Sequence, residues 1–194
     1  GYGMSECSPR ITTSDFSENN KYSNGVIIGV DEARCVDGEI QVQGPSVMKG
    51  YYKNPKATAE IIDENGYLHS GDLGVKDENG NYRITGRIKD IIVRGGENIS
   101  PAEIEQVICQ LPWVKSVKIV GIPADIIQEE VVACIIPEEI DDFDADEVKV
   151  FVSSQLADYK VPKHVLPFEE FPMNSNGKVL SNELSEQCKD ILNT

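Results

Sequence analysis

Two styles of hydrophobic patterning divide the chain. Before residue 86 the apolar positions come in short runs of Val and Ile, bounded by Gly, Asp or Pro. GVIIGV at 25–30 and EIQVQG at 39–44 predict strands by that rule. GNYRIT at 80–85 alternates and follows the turn signal Glu-Asn-Gly, so it predicts the arm of a hairpin. YLHSGDLG at 67–74 predicts a short strand that runs into a glycine turn, and only NPKATAEII at 54–62 has helical character. Beyond residue 86 the period lengthens. Ser100, Pro101 and Glu103 form a helix start, and Ile104, Val107, Ile108 and Leu111 then fall on one face. SVKIVGI at 116–122 and EVVACIIP at 130–137 predict strands. DADEVKVFVSSQLADY at 144–159 predicts a helix with Val148, Phe151, Val152 and Leu156 at helical spacing, and a last helix runs from Ser181 to about Leu192.

These elements predict an α+β chain in two parts. A small, mostly β segment covers 1–88, and a compact α+β unit covers 89–194. No internal repeat or low-complexity tract stands out.

Charge narrows the range of functions. Eighteen Lys and Arg stand against 33 Asp and Glu, a net charge of -15. The summed field repels polyanions, which argues against nucleic acid as a partner and against nonspecific binding to anionic membranes. No apolar run reaches the roughly 20 residues of a bilayer span, and GYGMSECSPR has no signal-peptide character. The cysteines at 7, 35, 109, 134 and 188 are odd in number and lack close pairs, so reduced thiols in the cytoplasm are expected. With His69 and His164 as the only histidines, a histidine-based hydrolytic triad or an HExxH zinc site is not expected. Chemistry must then rest on lysine, carboxylates, hydroxyls and backbone amides. The acidic run Glu138–Glu147 reads as a solvated loop.

Four segments carry more glycine and fixed polarity than packing needs. In Gly1-Tyr2-Gly3-Met4-Ser5-Glu6 the tyrosine can offer a flat face to a ring, or simply pack in a turn. Ser5 offers a hydroxyl to a phosphate oxygen, and Glu6 a hard oxygen to magnesium. In Ser70-Gly71-Asp72-Leu73-Gly74 the carboxylate could accept two hydrogen bonds from a sugar diol, or close an Asx turn. The stretch from Thr85 to Asn98 joins the two parts and places Arg87, Lys89 and Arg94 near the pair Gly95-Gly96, which permits positive φ or close approach of a ligand. Pro172 to Lys178 is polar and turn-forming, expected to be mobile, and ends in one lysine. It is not a P-loop, because GxxxxGK[ST] is absent.

Taken in order, these segments resemble the adenylate-forming superfamily of acyl-CoA synthetases, firefly-type luciferases and peptide-synthetase adenylation domains, as the C-terminal portion of an acyl-CoA synthetase. GYGMSE is similar to the adenine and phosphate motif, with Ser where Thr is usual, and GEIQVQGPSVMKGYYKNPKAT to the barrel motif. YLHSGDLG resembles the ribose-binding motif, GRIKDIIVRGGENISPAEIE the hinge and following loop, and ADYKVPKH and PMNSNGK the last two motifs.

The resemblance implies ATP or AMP, Mg2+ and CoA as ligands and a fatty or aromatic carboxylic acid as substrate. It places Tyr2 beside the adenine, Ser5 at the nucleotide phosphate, Glu6 at the magnesium, and Asp72 at the ribose with Arg87 assisting. It makes Lys89 the hinge, Gly95 and Gly96 the lining of the thiol passage, and Lys178 the adenylation lysine. The family's phosphate loop and most of its acyl pocket belong to an N-terminal part absent from this sequence, and the stretch from Ser23 to Glu39 is shorter than usual. On this reading 1–88 is the end of the large nucleotide-binding domain and 89–194 the mobile domain, and the chain alone is inactive. Two alternatives stay open: an adenylation domain that loads a carrier protein, and a truncated module that binds nucleotide or a partner without chemistry.

Overall fold

The computed structural model describes every residue except 9, 15–22, 30 and 194. Val30, the last residue of the strand expected at 25–30, lies outside the described residues. The chain folds as two compact units, Gly1–Lys89 and Asp90–Thr194.

In the first unit a four-stranded antiparallel meander runs β3 (Glu32–Val36), β4 (Glu39–Gln43), β5 (Leu68–Lys76) and β6 (Tyr82–Arg87). A two-stranded ladder joins β1 (Thr12–Thr13) to β2 (Val26–Ile27). Helix α1 (Pro55–Ile61) starts where Asn54 accepts the Ala57 N–H at 3.1 Å. Ile11, Ile40, Val42, Leu68 and Tyr82 form the core, which the alternation along β4 and β5 points to one side of the meander.

Two features of the meander depart from the sequence reading. The strand expected at 67–74 does not stop at its glycines. It continues to Lys76, because a bulge at Leu73/Gly74 absorbs the irregularity. Gly74 is needed there: a Cβ would stand 2.5 Å from Ile40 Cδ1 and 2.8 Å from the Arg83 carbonyl. Strand β3 was not expected. Its side chains are alternately exposed and half-buried, so it lacks an apolar run, yet it ends in Asp37-Gly38, both at positive φ (50° and 83°). That pair is a hairpin signal legible in the sequence.

The second unit is built on one five-stranded sheet. Strand β10 (Gln128–Pro137) is its axis, antiparallel to β9 (Val114–Ala124) and parallel to β11 (His164–Pro167). The hairpin of β7 (Ile92–Arg94) and β8 (Glu97–Ile99) joins the end of β10 at Gln128↔Arg94. Alternation along β10 sorts two cores. Val131, Ala133 and Ile135 pack with Ile104, Ile108, Val148 and Val152 from α2 (Pro101–Ile108) and α3 (Ala145–Gln155). Val132 and Cys134 face the other way and meet Leu184 and Cys188 of α4 (Ser181–Leu192), with Phe171. Strand β11 was also missed: it is four residues long and ends in a proline, and its parallel pairing needs the α3 crossover. The acidic run is loop only in part, since Asp144 caps α3 by accepting the Asp146 and Glu147 N–H groups. All five cysteines are free. Among the described residues no helix is long and apolar enough to cross a membrane.

Candidate functional site

Three of the expected nucleotide residues, far apart in sequence, meet in the first unit. Asp72 on β5 and Arg87 on β6 are direct cross-strand partners, so their side chains leave the same face. Arg87 Nε lies 2.9 Å from Asp72 Oδ1. The Tyr2 hydroxyl donates to Asp72 Oδ2 at 2.8 Å. Tyr2 is itself pinned, its N–H on Thr12 Oγ1 and its carbonyl accepting from Ile11 and Thr12. Burial first, then the Asp72 carboxylate beside it, push the Tyr2 phenol above its ordinary range, so it stays a donor at neutral pH. Asp72 is only 7% exposed, yet each oxygen keeps lone pairs beyond its one partner. A buried, braced acceptor of this kind can bind a vicinal diol.

The segment under Asp72 is held by groups the sequence reading did not single out. Glu39 Oε1 accepts the Gly71 N–H at 3.0 Å, and its Oε2 lies 2.8 Å from His69 Nδ1 and 3.2 Å from Gln41 Nε2. Burial pushes the Glu39 carboxyl up, but the bonds from Gln41, Gly71 and His69 outweigh it and hold the group below its ordinary range. Gly71 takes φ +70°, which glycine adopts without strain. The glutamate opens β4 and resembles any hairpin residue in sequence, so nothing local marked it.

Ser5 opens a 3-10 turn, Ser5–Cys7, and is exposed. Glu6 accepts the Tyr51 hydroxyl at 2.9 Å on Oε1. No group of three or more metal-binding side chains occurs among the described residues. A single carboxylate still fits magnesium, which keeps waters and takes substrate phosphates as its other ligands. Ser5 and Glu6 share the turn but make no contact with Asp72 among the hydrogen bonds and ion pairs found.

Lys89 is exposed in the 3-10 turn Ile88–Asp90 and is the last residue of the first unit. In the second unit Gly95 and Gly96 form the two-residue turn of the β7–β8 hairpin, at φ +60° and +89°. A Cβ on either would meet nothing within 4 Å, so the requirement is conformational and the turn is open on its outer side. The Gly95 N–H donates to the Ile127 carbonyl at 2.8 Å. Arg94 ties this hairpin to the 159–163 segment: its Nη1 donates to the Tyr159 and Val161 carbonyls at 2.9 and 3.1 Å, and its Nη2 is 3.3 Å from Glu130 Oε2. Lys163 Nζ is 2.8 Å from the other oxygen of Glu130. The sheet thus joins two segments that the sequence left separate.

Lys178 is exposed, and its ammonium has no hydrogen-bond or ion-pair partner among the described residues. Its backbone is not loose. The segment expected to be a mobile loop is a closed hairpin turn, with Met173 bridged to Val179. The Lys178 N–H donates to Asn174 Oδ1 at 2.9 Å, and the Lys178 carbonyl accepts the Asn174 N–H at 2.9 Å.

Residues 103–178 match the model of the AMP-binding enzyme C-terminal domain. Long-chain-fatty-acid–CoA ligase of Escherichia coli is 37% identical over 201 residues, covering 97% of this chain and 36% of the ligase. Feruloyl-CoA synthase of an Amycolatopsis species is 36% identical over 197 residues, covering 95% of this chain and 40% of the synthase. The solved structure of o-succinylbenzoate CoA synthetase from Bacillus subtilis with its acyl-adenylate intermediate superposes at a TM-score of 0.86 and 32% identity, covering 94% of this chain and 40% of that one. This chain spans less than half the length of each.

Proposed function

We propose, from the premise that this chain belongs to the adenylate-forming superfamily and matches its C-terminal portion, that it is part of an ATP-dependent acyl-CoA synthetase. The reaction activates a fatty or aromatic carboxylate as an acyl-adenylate with release of pyrophosphate, then passes the acyl group to CoA. We place it in the cytoplasm, where five thiols outside any disulfide are at home. The observation that carries the reading is the convergence of Tyr2 and Arg87 on the buried carboxylate of Asp72.

Asp72 accepts the ribose hydroxyls, with Arg87 holding the carboxylate in place. Tyr2 presents its ring to the adenine, and Ser5 donates to a nucleotide phosphate. Glu6 would hold Mg2+, which supplies charge neutralisation at the phosphates. Lys178 brings an unpaired ammonium to the α-phosphate, where two anionic reactants must approach. One ammonium about 4 Å from a developing charge contributes on the order of 4 kcal/mol at an effective dielectric near 20. The same group would obstruct the thiol in the second step, so rotation about Lys89 withdraws it while Gly95 and Gly96 line the passage of the thiol arm. The chain alone, without a phosphate loop or acyl pocket, is expected to be inactive.

Lys178→Ala in the full-length enzyme is expected to lower carboxylate-dependent pyrophosphate exchange by roughly two to three orders of magnitude. Thioester formation from supplied acyl-adenylate should be largely spared. Unchanged exchange would defeat the assignment.

A further inference from the structure

The turn that carries Lys178 occurs three times among the described residues. Asp63-Glu64-Asn65-Gly66-Tyr67, Asp77-Glu78-Asn79-Gly80-Asn81 and Asn174-Ser175-Asn176-Gly177-Lys178 share one spacing: an Asx, then Asn two residues on, then Gly. Each closes with the same four hydrogen bonds. The Asx Oδ1 accepts the N–H of the third residue (2.9, 2.9 and 3.0 Å) and of the fifth (2.8, 2.8 and 2.9 Å). The Asx carbonyl accepts the glycine N–H at 3.0 Å, and the Asx N–H donates to the carbonyl of the fifth residue at 2.9 Å, in all three. The glycines take φ of 82°, 82° and 75°. Three independent occurrences make this a property of the pattern, set by the Asx side chain and the left-handed glycine.

The third copy differs in two ways. Its fifth residue is the lysine, and its Asx is the neutral amide. Asp63 and Asp77 are carboxylates held below their ordinary range, first by the backbone N–H of Tyr67 and of Asn81 respectively. A carboxylate at 174 would therefore be ionised, within one lysine side-chain length of the ammonium. Asparagine makes the same bonds and leaves the charge of Lys178 uncompensated.

We propose that Asn174 is a positioning residue for Lys178, fixing both backbone polar atoms of the lysine so that only its side chain remains to be ordered at the reaction centre. The proposal rests on the reading of Lys178 as the adenylation lysine. A lysine side chain has considerable rotamer freedom, and an unfixed root would add backbone freedom to what must be ordered. Displacement of a charge by about 1 Å can lower a rate roughly 100-fold.

The test measures both half-reactions in the full-length enzyme for Asn174→Ala, Lys178→Ala, the double variant, and Asp77→Ala. Asn174→Ala should lower pyrophosphate exchange roughly 10- to 100-fold, through kcat and with the ATP KM within about twofold, and spare thioester formation from acyl-adenylate. In the Lys178→Ala background it should lower exchange no further, because the group it positions is gone. Asp77→Ala, which removes the same bonds from a turn without a lysine, should leave both half-reactions within about twofold. Full exchange by Asn174→Ala, losses that multiply in the double variant, or equal loss of both half-reactions would each overturn the positioning role. Undiminished exchange by Lys178→Ala would instead overturn the proposed function.

Discussion

At the scale of single residues, the candidate nucleotide site is an arrangement around one buried carboxylate. Asp72 carries a guanidinium on one oxygen and a phenol on the other. The two partners differ in what they contribute. Arg87 compensates charge, whereas the Tyr2 hydroxyl occupies an oxygen that a ribose hydroxyl would also use. Asp72→Ala in the full-length enzyme is therefore expected to weaken AMP binding by roughly 10- to 100-fold, the worth of hydrogen bonds to a charged acceptor. Tyr2→Phe should change it by no more than about threefold, because a competing donor leaves together with a supporting one. Isothermal titration with AMP separates the two, and equal losses would mean that Asp72 is not the ribose acceptor. The residues of this site were legible in the sequence as separate polar and glycine-flanked positions. The bond between positions 2 and 72 was not, because no local pattern encodes a contact across 70 residues.

At the scale of elements, periodicity predicted the helices and long strands of the second unit well, since each buries one face. Strand β10 is apolar on both faces, and the structure covers one with α2 and α3 and the other with α4. Leu184 is fully buried in that second core. Leu184→Ala should destabilise the protein by about 2–5 kcal/mol, the range for deleting a buried leucine. Ile126→Ser, at a position 94% exposed, should stay within about 0.5 kcal/mol. Urea unfolding monitored by Trp113 fluorescence measures both, and a mild Leu184→Ala would show that α4 packs weakly. The elements missed include β3 and β11, whose place is set by neighbours: β3 turns only the small Ala33 and Cys35 to the core, and β11 is short and paired parallel to β10. The repeated Asx-x-Asn-Gly turn was present in the sequence but too short to stand out as a repeat, and only its hydrogen bonds revealed a common form.

At the scale of the whole molecule, the two units meet in sequence at Lys89 and Asp90, within one 3-10 turn. In the proposed reaction this junction is the pivot. Lys89→Pro should leave adenylation by the full-length enzyme within about threefold and lower thioester formation at least tenfold, because proline fixes φ near -65° and stiffens the residue that must change torsion. Pyrophosphate exchange and acyl-CoA formation, assayed side by side, check this. Equal loss in both would place the pivot elsewhere.

What the sequence by itself determined is what local chemistry and period decide: the change from short β runs to amphipathic helices near residue 86, the polar and glycine-rich segments, and the net charge of -15. Glycine at positive φ, Asx turns and helix faces are encoded within a few residues, so they can be read without a fold. The tertiary structure decided which distant groups meet. Tyr2 and Arg87 on Asp72, Glu39 beneath Gly71, and Arg94 on the 159–161 carbonyls are pairings that strand register and sheet order create.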